Sequence, residues 1–482
     1  MSNQTNTVTS ATSEGIEHYV SGKIRDGAEF RSPLVKLSPH RVVFEVFHTP
    51  AEFRTSLVIP DFKVVVNELP VYRGRAVING LISLSTGTIC EVTLEDAWVD
   101  PSAKLSSFHE SGGRAAFEHF LGQWKKYYLI RPEFKVVVAD MQTFLTDMRL
   151  WLDQVELGIR ASSNGKPGEV EEEVASKLGR ETTPALTQLF EKFEAALGGL
   201  EEEQPAVYRS FAKRQLHSLL LCSPFLYRTY TKPLGYAGDY EMVNMMFTNP
   251  FQGGSLFAKV LNLWFLEQAP AEAHRNRIKF LVERIEEAAL QAARTGRVAQ
   301  ITSIGCGPAH EVQQFLKSSQ LADHAHFRLV DFNEETVNYT TKLLQSLKQK
   351  YHRRTQIDVI RKSVHQILKE AGRAAARPAA MSFDLAYCAG LYDYLTDQTC
   401  HRLTNILFDT VVPGGTFIST NVDRSNPRRL TMDYLMDWHL IYRTGSQLAQ
   451  LKPDRVGQDE GAVSADFTGV NIYYVAKKTT RG

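Results

Sequence analysis

From Arg297 onward the chain alternates short apolar runs with helical stretches, and this alternation constrains its fold more than any other feature. Val298-Ala-Gln-Ile-Thr-Ser-Ile304, His326-Phe-Arg-Leu-Val330, Gln356-Ile-Asp-Val-Ile360, Phe383-Asp-Leu-Ala-Tyr387 and Thr416-Phe-Ile-Ser-Thr420 read as strands. Helical periodicity fills the gaps, notably Glu311 to Lys317 and Glu334 to Lys350. Strands joined through helices pair as parallel neighbours and leave the helices on the faces of the sheet. The pattern predicts an α/β domain with a mainly parallel, doubly wound sheet. Val470-Asn-Ile-Tyr-Tyr-Val-Ala476 supplies a last strand.

Gly305-Cys306-Gly307 stands where the first of these strands turns into its helix. Glycines there let backbone approach a ligand without a Cβ clash. A dinucleotide site prefers a third glycine three residues on, and His310 stands at that position. The turn therefore suits a ligand without a pyrophosphate. Asp331 closes the second strand, where a carboxylate can accept hydrogen bonds from both ribose hydroxyls.

Three segments then carry a resemblance. Ile301-Thr-Ser-Ile-Gly-Cys-Gly-Pro308 resembles the first motif of class I S-adenosylmethionine-dependent methyltransferases. Leu329-Val-Asp-Phe-Asn333 resembles their second, and Val411-Val-Pro-Gly-Gly-Thr-Phe-Ile418 the segment before their fifth strand. The resemblance implies a Rossmann-like domain with S-adenosylmethionine as cofactor. It puts Gly305 and Gly307 under the methionine part, Asp331 on the ribose and Phe332 beside the adenine, with Cys306 and Ala389 also in the cofactor site. Relatives often meet the adenine amino group with an acid after the third strand. Here the matching stretch is Lys362-Ser-Val-His365, so Ser363 or the Val364 backbone takes that place.

Two further segments look chemical. Tyr230 to Met242 packs tyrosines, glycines, a lysine and two acids into one short span ahead of the sheet. Cys388-Ala-Gly-Leu-Tyr-Asp-Tyr-Leu-Thr396 lies at the carboxyl end of the fourth strand, the edge at which open α/β sheets bind ligands. A plain reading makes the first a turn whose tyrosines plug the core, and the second a helix start capped by Asp393. Lys232 to Asn244 and Gly390 to Leu395 resemble segments of the bacterial extracellular factor 3-hydroxypalmitic acid methyl ester biosynthesis proteins. That resemblance implies methyl transfer to the carboxylate of a hydroxy fatty acid. Tyr236, Tyr240 and Tyr392 would orient the acceptor, with Lys232 or Arg228 pairing its carboxylate. An amine or hydroxyl acceptor would need a base, for which Asp239, Glu241, Asp393 and His365 are the candidates. His310 at the helix start has no settled role.

Before the helices, residues 30–100 hold short β-type runs such as Arg41 to Phe47, Phe62 to Val66, Gly74 to Asn79 and Thr88 to Leu94. They predict a small antiparallel barrel. Tyr72 to Ile78 and Val92 to Trp98 resemble the later strands of a PilZ domain, a barrel that binds cyclic di-GMP in many bacterial proteins. The arginine and Asp/Asn-x-Ser-x-x-Gly signatures of that ligand are missing, so the resemblance implies a degenerate barrel used for docking, dimerisation or regulation. Helical periodicity follows at Phe117 to Tyr128, Val136 to Leu157, Pro184 to Leu197, Pro205 to Leu221 and Phe257 to Ala293. Leu186, Leu189, Phe190 and Phe193 form a packing stripe, and Ser162 to Glu181 reads as a loose linker.

These readings divide the chain into a disordered start (1–20), a PilZ-like barrel (21–105), a helical linker or cap (106–225) and a substrate cap with the methyltransferase domain (226–482). The formal net charge of +1 provides no overall field toward nucleic acid, and no apolar run reaches the roughly 18 residues of a membrane span. Five scattered cysteines without a CxxC pair fit a reducing cytoplasm and suggest no metal site. Two function classes follow: an active small-molecule methyltransferase, or a signalling protein whose methyltransferase fold has lost activity.

Overall fold

The structure is a computed structural model that describes residues 18–24, 29–38, 41–46, 53–66, 69–83, 88–95, 130–162, 167–199, 205–373, 382–456 and 461–479. The chain forms two compact units, one of residues 1–50 and 58–125, the other of residues 51–57 and 126–482.

The first unit is a closed six-stranded antiparallel barrel of β1 (His18–Lys23), β2 (Glu29–Ser38), β3 (Arg41–Val46), β4 (Val58–Val66), β5 (Leu69–Ser83) and β6 (Thr88–Leu94). Alternation drives it: in β3, Val42, Phe44 and Val46 are buried while Arg41 is exposed. Pairing of β1 with β4 closes the ring, which leaves no free edge. The runs at Leu57–Ile59 and Phe62–Val66 are parts of one strand, with a register shift between Ile59 and Phe62. Of the expected disordered start, residues 18–20 lie in β1, and residues 1–17 fall outside the described residues. The expected helix at Phe117 to Tyr128 lies outside them too.

The second unit opens with α1 (Pro132–Ser162), α2 (Pro167–Leu197), α3 (Pro205–Leu220), α4 (Pro224–Thr231), α5 (Tyr240–Met245), α6 (Leu256–Leu266) and α7 (Ala269–Arg294). Their apolar stripes meet in one core, where Phe190 lies tilted 4.3 Å from Trp264 and Phe134 lies 5.5 Å from Phe193. The segment expected to be a loose linker is helical from Pro167 on. Glu173 and Lys177 pair one turn apart at 2.7 Å, and Glu171 reaches Lys259 at 2.5 Å. Gly179 lets Leu263 approach to where a Cβ would lie 2.7 Å away, so its glycine serves packing rather than looseness. The helical run expected over Phe257 to Ala293 is broken at Glu267 and Gln268, because Pro270 starts a helix and cannot continue one.

The sheet order is β12-β13-β11-β10-β7-β8-β9, from β7 (Ala299–Ile304), β8 (Ala325–Asp331), β9 (Gln356–Arg361), β10 (Phe383–Cys388), β11 (Val411–Val422), β12 (Gly461–Ala465) and β13 (Asn471–Lys477). Strands β7 to β11 pair in parallel, and β13 runs antiparallel to both its neighbours. Helices α8 (His310–Ser318), α9 (Glu334–Lys350), α10 (Val364–Arg373), α11 (Asp397–Thr410), α12 (Arg429–Leu435) and α13 (Gly445–Ala449) join them. Ile301, Phe327 and Leu385 pack with Ile285 of α7 and Phe315 of α8, while Ala386, Phe417 and Ile472 pack with Leu403 and Leu407 of α11. From β7 the strand order steps to β8 and β9 on one side and to β10 and β11 on the other. The carboxyl ends of β7 and β10 therefore border a topological switch point, which leaves a crevice between diverging connections. Among the described residues no helix is long and apolar enough to cross a membrane.

Candidate functional site

A cleft of about 890 Å³ opens at that switch point. The turn after β7 supplies Gly305, Cys306 and Gly307, and the end of β10 supplies Ala389 and Gly390. Gly305, Gly307 and Gly390 have φ of 71°, 52° and 82°, the left-handed region that side chains resist. Gly305 has a second constraint, because a Cβ there would lie 3.3 Å from Leu391.

Asp331 ends β8 and is 6% exposed. Its Oδ2 accepts from the Gly307 amide at 3.1 Å and its Oδ1 from the Asn333 amide at 3.0 Å. Burial raises its pKa, against those amides and the nearby Arg54, which favour the ionised form. One carboxylate thus ties the glycine turn to the start of α9. A carboxylate has about four lone-pair sites, so these amides leave it capacity to accept from a ligand as well.

Phe332 packs edge-on to Tyr236 with centroids 5.1 Å apart, and the Arg54 guanidinium lies 4.0 Å from the first ring and 4.1 Å from the second. Arg54 comes from the connection between β3 and β4, which belongs to the second unit. Ser56 fastens that connection: its Oγ donates to the His439 carbonyl at 3.0 Å and accepts from the His439 amide at 2.6 Å. Nothing in the local sequence marks Arg54, because its partners lie far along the chain.

The Lys232 to Asn244 segment reaches the cleft through Gly238 and Val243. A Cβ on Gly238 would lie 2.8 Å from the Tyr394 hydroxyl, which itself accepts from the Trp438 indole at 2.8 Å. Most polar groups of the segment are committed elsewhere. Asp239 caps α5 through Met242 N and pairs with Arg228 at 2.9 Å. Lys232 donates to the Met436 carbonyl at 2.9 Å and is 2% exposed. Tyr240 stacks on Tyr339 and donates to Glu335 at 3.0 Å, and Tyr236 meets Thr336 Oγ1 at 3.4 Å. Glu241 accepts from Asn244 at 2.9 Å.

In Gly390 to Leu395 the two tyrosines separate. Tyr392 is fully buried, with its hydroxyl 2.7 Å from Thr404 Oγ1, and packs in the core under α11 rather than on the cleft. Tyr394 and Asp393 do line the cleft. Asp393 takes the Val422 amide at 2.6 Å, and burial raises its pKa. Of the expected cofactor residues, Asp331, Phe332, Ser363 and Val364 do not line the cleft, and Asp331 reaches it only through its bond to the Gly307 amide. Ser363 caps α10 through Gln366 N at 3.3 Å, and His365 is exposed.

A second set of lining groups comes from α7 and α8; sequence reading missed His274, Arg277 and Glu311 and left His310 without a role. His274, Arg277, His310 and Glu311 all face the cleft. Burial holds His310 down to about 4 and His274 to about 3, so both imidazoles are neutral near pH 7. Glu311 accepts from the Tyr387 hydroxyl at 2.8 Å, and burial raises its pKa. Arg277 sits in a helix of ordinary composition, where no spacing rule singles it out. A second, apolar cavity of about 390 Å³ adjoins the cleft through Pro270, Met432 and Trp438, with Phe225, Met246, Trp264, Phe265 and Met436 in its wall.

No protein-family model matches the chain, and no curated protein sequence matches it significantly. Solved structures do match. A possible exported protein from Bordetella parapertussis is 13% identical, with a TM-score of 0.41 over 63% of this chain and 97% of that one. Magnesium protoporphyrin IX methyltransferase from Synechocystis PCC 6803 is 10% identical, with a TM-score of 0.30 over 44% and 88% of the two chains. N-methyltransferase NodS from Bradyrhizobium japonicum WM9 is 13% identical, with a TM-score of 0.27 over 43% and 97%.

Proposed function

We propose that the chain is an S-adenosylmethionine-dependent methyltransferase whose acceptor is the carboxylate of a small acid with an apolar body, such as a hydroxy fatty acid. The observation that carries this reading is the floor of the cleft. Three glycines at positive φ stand at the switch point, and a buried acid at the end of the neighbouring strand is bonded to one of them. A sulfonium ligand with a ribose and no phosphates fits that arrangement: the glycine turn offers room for the chain beside the sulfur, and Asp331 offers lone pairs to the hydroxyls. Phe332 would flank the base, with Ser363 or the Val364 backbone near its edge.

When bound, the cofactor supplies a methyl group on a good leaving atom. The protein's task is then to position the acceptor. A carboxylate is already ionised near pH 7 and needs no base, so in-line placement accounts for most of the acceleration. Tyr394 is well set for this, because its oxygen accepts the Trp438 proton and leaves its own O–H to donate to the acceptor. The adjoining apolar-walled cavity lies where an aliphatic body of the acceptor would pack beside the cleft. Tyr236 holds the Phe332 wall, and Asp393 holds the β11 backbone. Tyr240, Asp239 and Tyr392 support those groups from behind through the bonds described above.

The test is incubation of the full chain with methyl-labelled cofactor and a panel of free 3-hydroxy acids of increasing chain length. Label in the methyl ester, rising with chain length, is the expected result. Tight cofactor binding with no transfer to any acid would favour the signalling reading instead. The barrel's part in docking or regulation belongs to the same proposal, and an isolated fragment spanning Gly15 to Asp100 is expected not to bind cyclic di-GMP.

A further inference from the structure

The cleft contains one cationic side chain that no protein group meets by a hydrogen bond or ion pair among the described residues. Arg277 is 7% exposed, and its guanidinium stands over Gly390, where a Cβ would lie 2.9 Å from Nη1 and 3.0 Å from Nη2. Its Nε is buried without an acceptor, and among the described residues Arg277 makes no side-chain hydrogen bond or ion pair. A buried guanidinium without a partner is costly, and proteins seldom keep one unless something else completes it.

Asp393 and Glu311 lie close enough to act on it through charge, but the hydrogen bonds of the acids around it go elsewhere. Asp393 takes the Val422 amide, Glu311 takes the Tyr387 hydroxyl, and Asp466 takes Asn276, Thr468 and the Asn471 amide. Other basic groups near the cleft are spoken for as well: Lys232 by carbonyls, Arg228 by Asp239, Arg54 by two aromatic rings. The two histidines of the cleft are neutral near pH 7. Arg277 is thus the standing positive charge of the cleft lining, and it presents a planar fork of donors beside the glycine floor. That fork matches the two oxygens of a carboxylate better than any other common ligand group of this size.

We propose that Arg277 is the carboxylate anchor of the cleft. This rests on the methyltransferase reading for the identity of the ligand, and two ligands carry the required group: the amino-acid end of the cofactor and the acid acceptor. Gly390 is part of the same device, because any side chain there would fill the space that the fork occupies.

The experiment compares the full chain with Arg277→Met and Arg277→Lys variants by calorimetry, after thermal unfolding shows that each is folded. In the first arm the ligands are S-adenosylmethionine and its decarboxylated form, which differ only in the carboxylate. In the second arm S-adenosylhomocysteine-saturated protein receives 3-hydroxydecanoate or its methyl ester. Wild type is expected to favour the carboxylate-bearing ligand in one arm by about 10- to 100-fold, the range of a charge-assisted bond. Arg277→Met should abolish that preference while leaving the decarboxylated or esterified ligand bound as before, and Arg277→Lys should restore part of it. The arm that responds names the source of the carboxylate. If Arg277→Met does not fold, the lysine variant and the wild-type preferences decide, and a wild type without preference in either arm overturns the proposal. Equal preferences in wild type and variants overturn it too. If wild type binds neither sulfonium, the methyltransferase reading falls, and the acid and ester pair, run without cofactor, still decides the role of Arg277.

Discussion

Replacing Asp331 with Asn keeps the shape of the side chain and removes one acceptor. In the native site Oδ2 takes the Gly307 amide at 3.1 Å and Oδ1 the Asn333 amide at 3.0 Å. The amide side chain can satisfy only one of these donors and turns an NH₂ toward the other. A hydrogen bond to a charged group contributes about 1.5–3 kcal/mol, and relief of the buried charge offsets part of its loss. Stability should therefore fall by no more than about 2 kcal/mol, on the same principle. Cofactor affinity should fall further. The remaining carbonyl oxygen cannot brace the turn and serve both ribose hydroxyls, so at least one charge-assisted bond is lost, or about 10- to 150-fold in Kd. Asp331→Ala should lose at least as much affinity and destabilise the glycine turn as well, because both amides are orphaned. Calorimetric titration with S-adenosylhomocysteine, paired with thermal unfolding of the same preparations, measures both quantities. A folded Asp331→Asn variant with affinity within threefold of wild type would refute the reasoning.

Gly305→Ala puts a side chain at φ 71°, which costs about 1–2 kcal/mol in strain and brings its Cβ against Leu391; urea unfolding should show the loss, and an unchanged midpoint would count against the turn geometry. Tyr392→Phe removes a buried hydroxyl bonded to Thr404, so stability should drop by about 1 kcal/mol while turnover per folded molecule stays constant. Tyr394→Phe should do the reverse, lowering turnover with little change in stability; equal behaviour of the two variants would erase the distinction drawn between them. His310 has a folded pKa of about 4, below the ordinary value of 6.5, so the native state binds fewer protons than the unfolded chain between these values. Its contribution to stability is complete above pH 6.5 and is lost as pH falls toward 4. His310→Gln keeps a donor for Asn244 and should flatten the melting-temperature profile in that window, and an unchanged slope would contradict the burial argument.

What the sequence made legible was local. Each strand of the parallel sheet is a short apolar run bounded by polar residues, and its period speaks for itself. The glycine turn and Asp331 were legible because their spacing follows from one strand–turn–helix unit. The barrel strands at His18 and Glu29 were harder, since Ser, Pro and Lys interrupt their alternation. Strand β12 is a largely exposed edge strand with little apolar content, which leaves no periodic signal. The stretch after Ser162 reads as loose because of its glycines and charges, yet Gly179 lets Leu263 of α6 approach closely. Tyr392 and Tyr394 have equal claims in sequence, and only the 3-10 turn at Tyr392–Tyr394 sends one inward to Thr404 and the other to Trp438. Arg277 and Arg54 could not be found by motif. Their importance lies in what they face across the fold.

The central claim is that the cleft at the ends of β7 and β10 is a sulfonium cofactor site. Titration of S-adenosylmethionine into the full chain by calorimetry tests it most directly, with S-adenosylhomocysteine as competitor and the Asp331→Asn variant alongside. The account predicts saturable binding at one site per chain, displaced by the competitor and weakened at least tenfold in the variant. A heat signal no larger than dilution in the wild-type chain, or binding that Asp331→Asn leaves untouched, would contradict it.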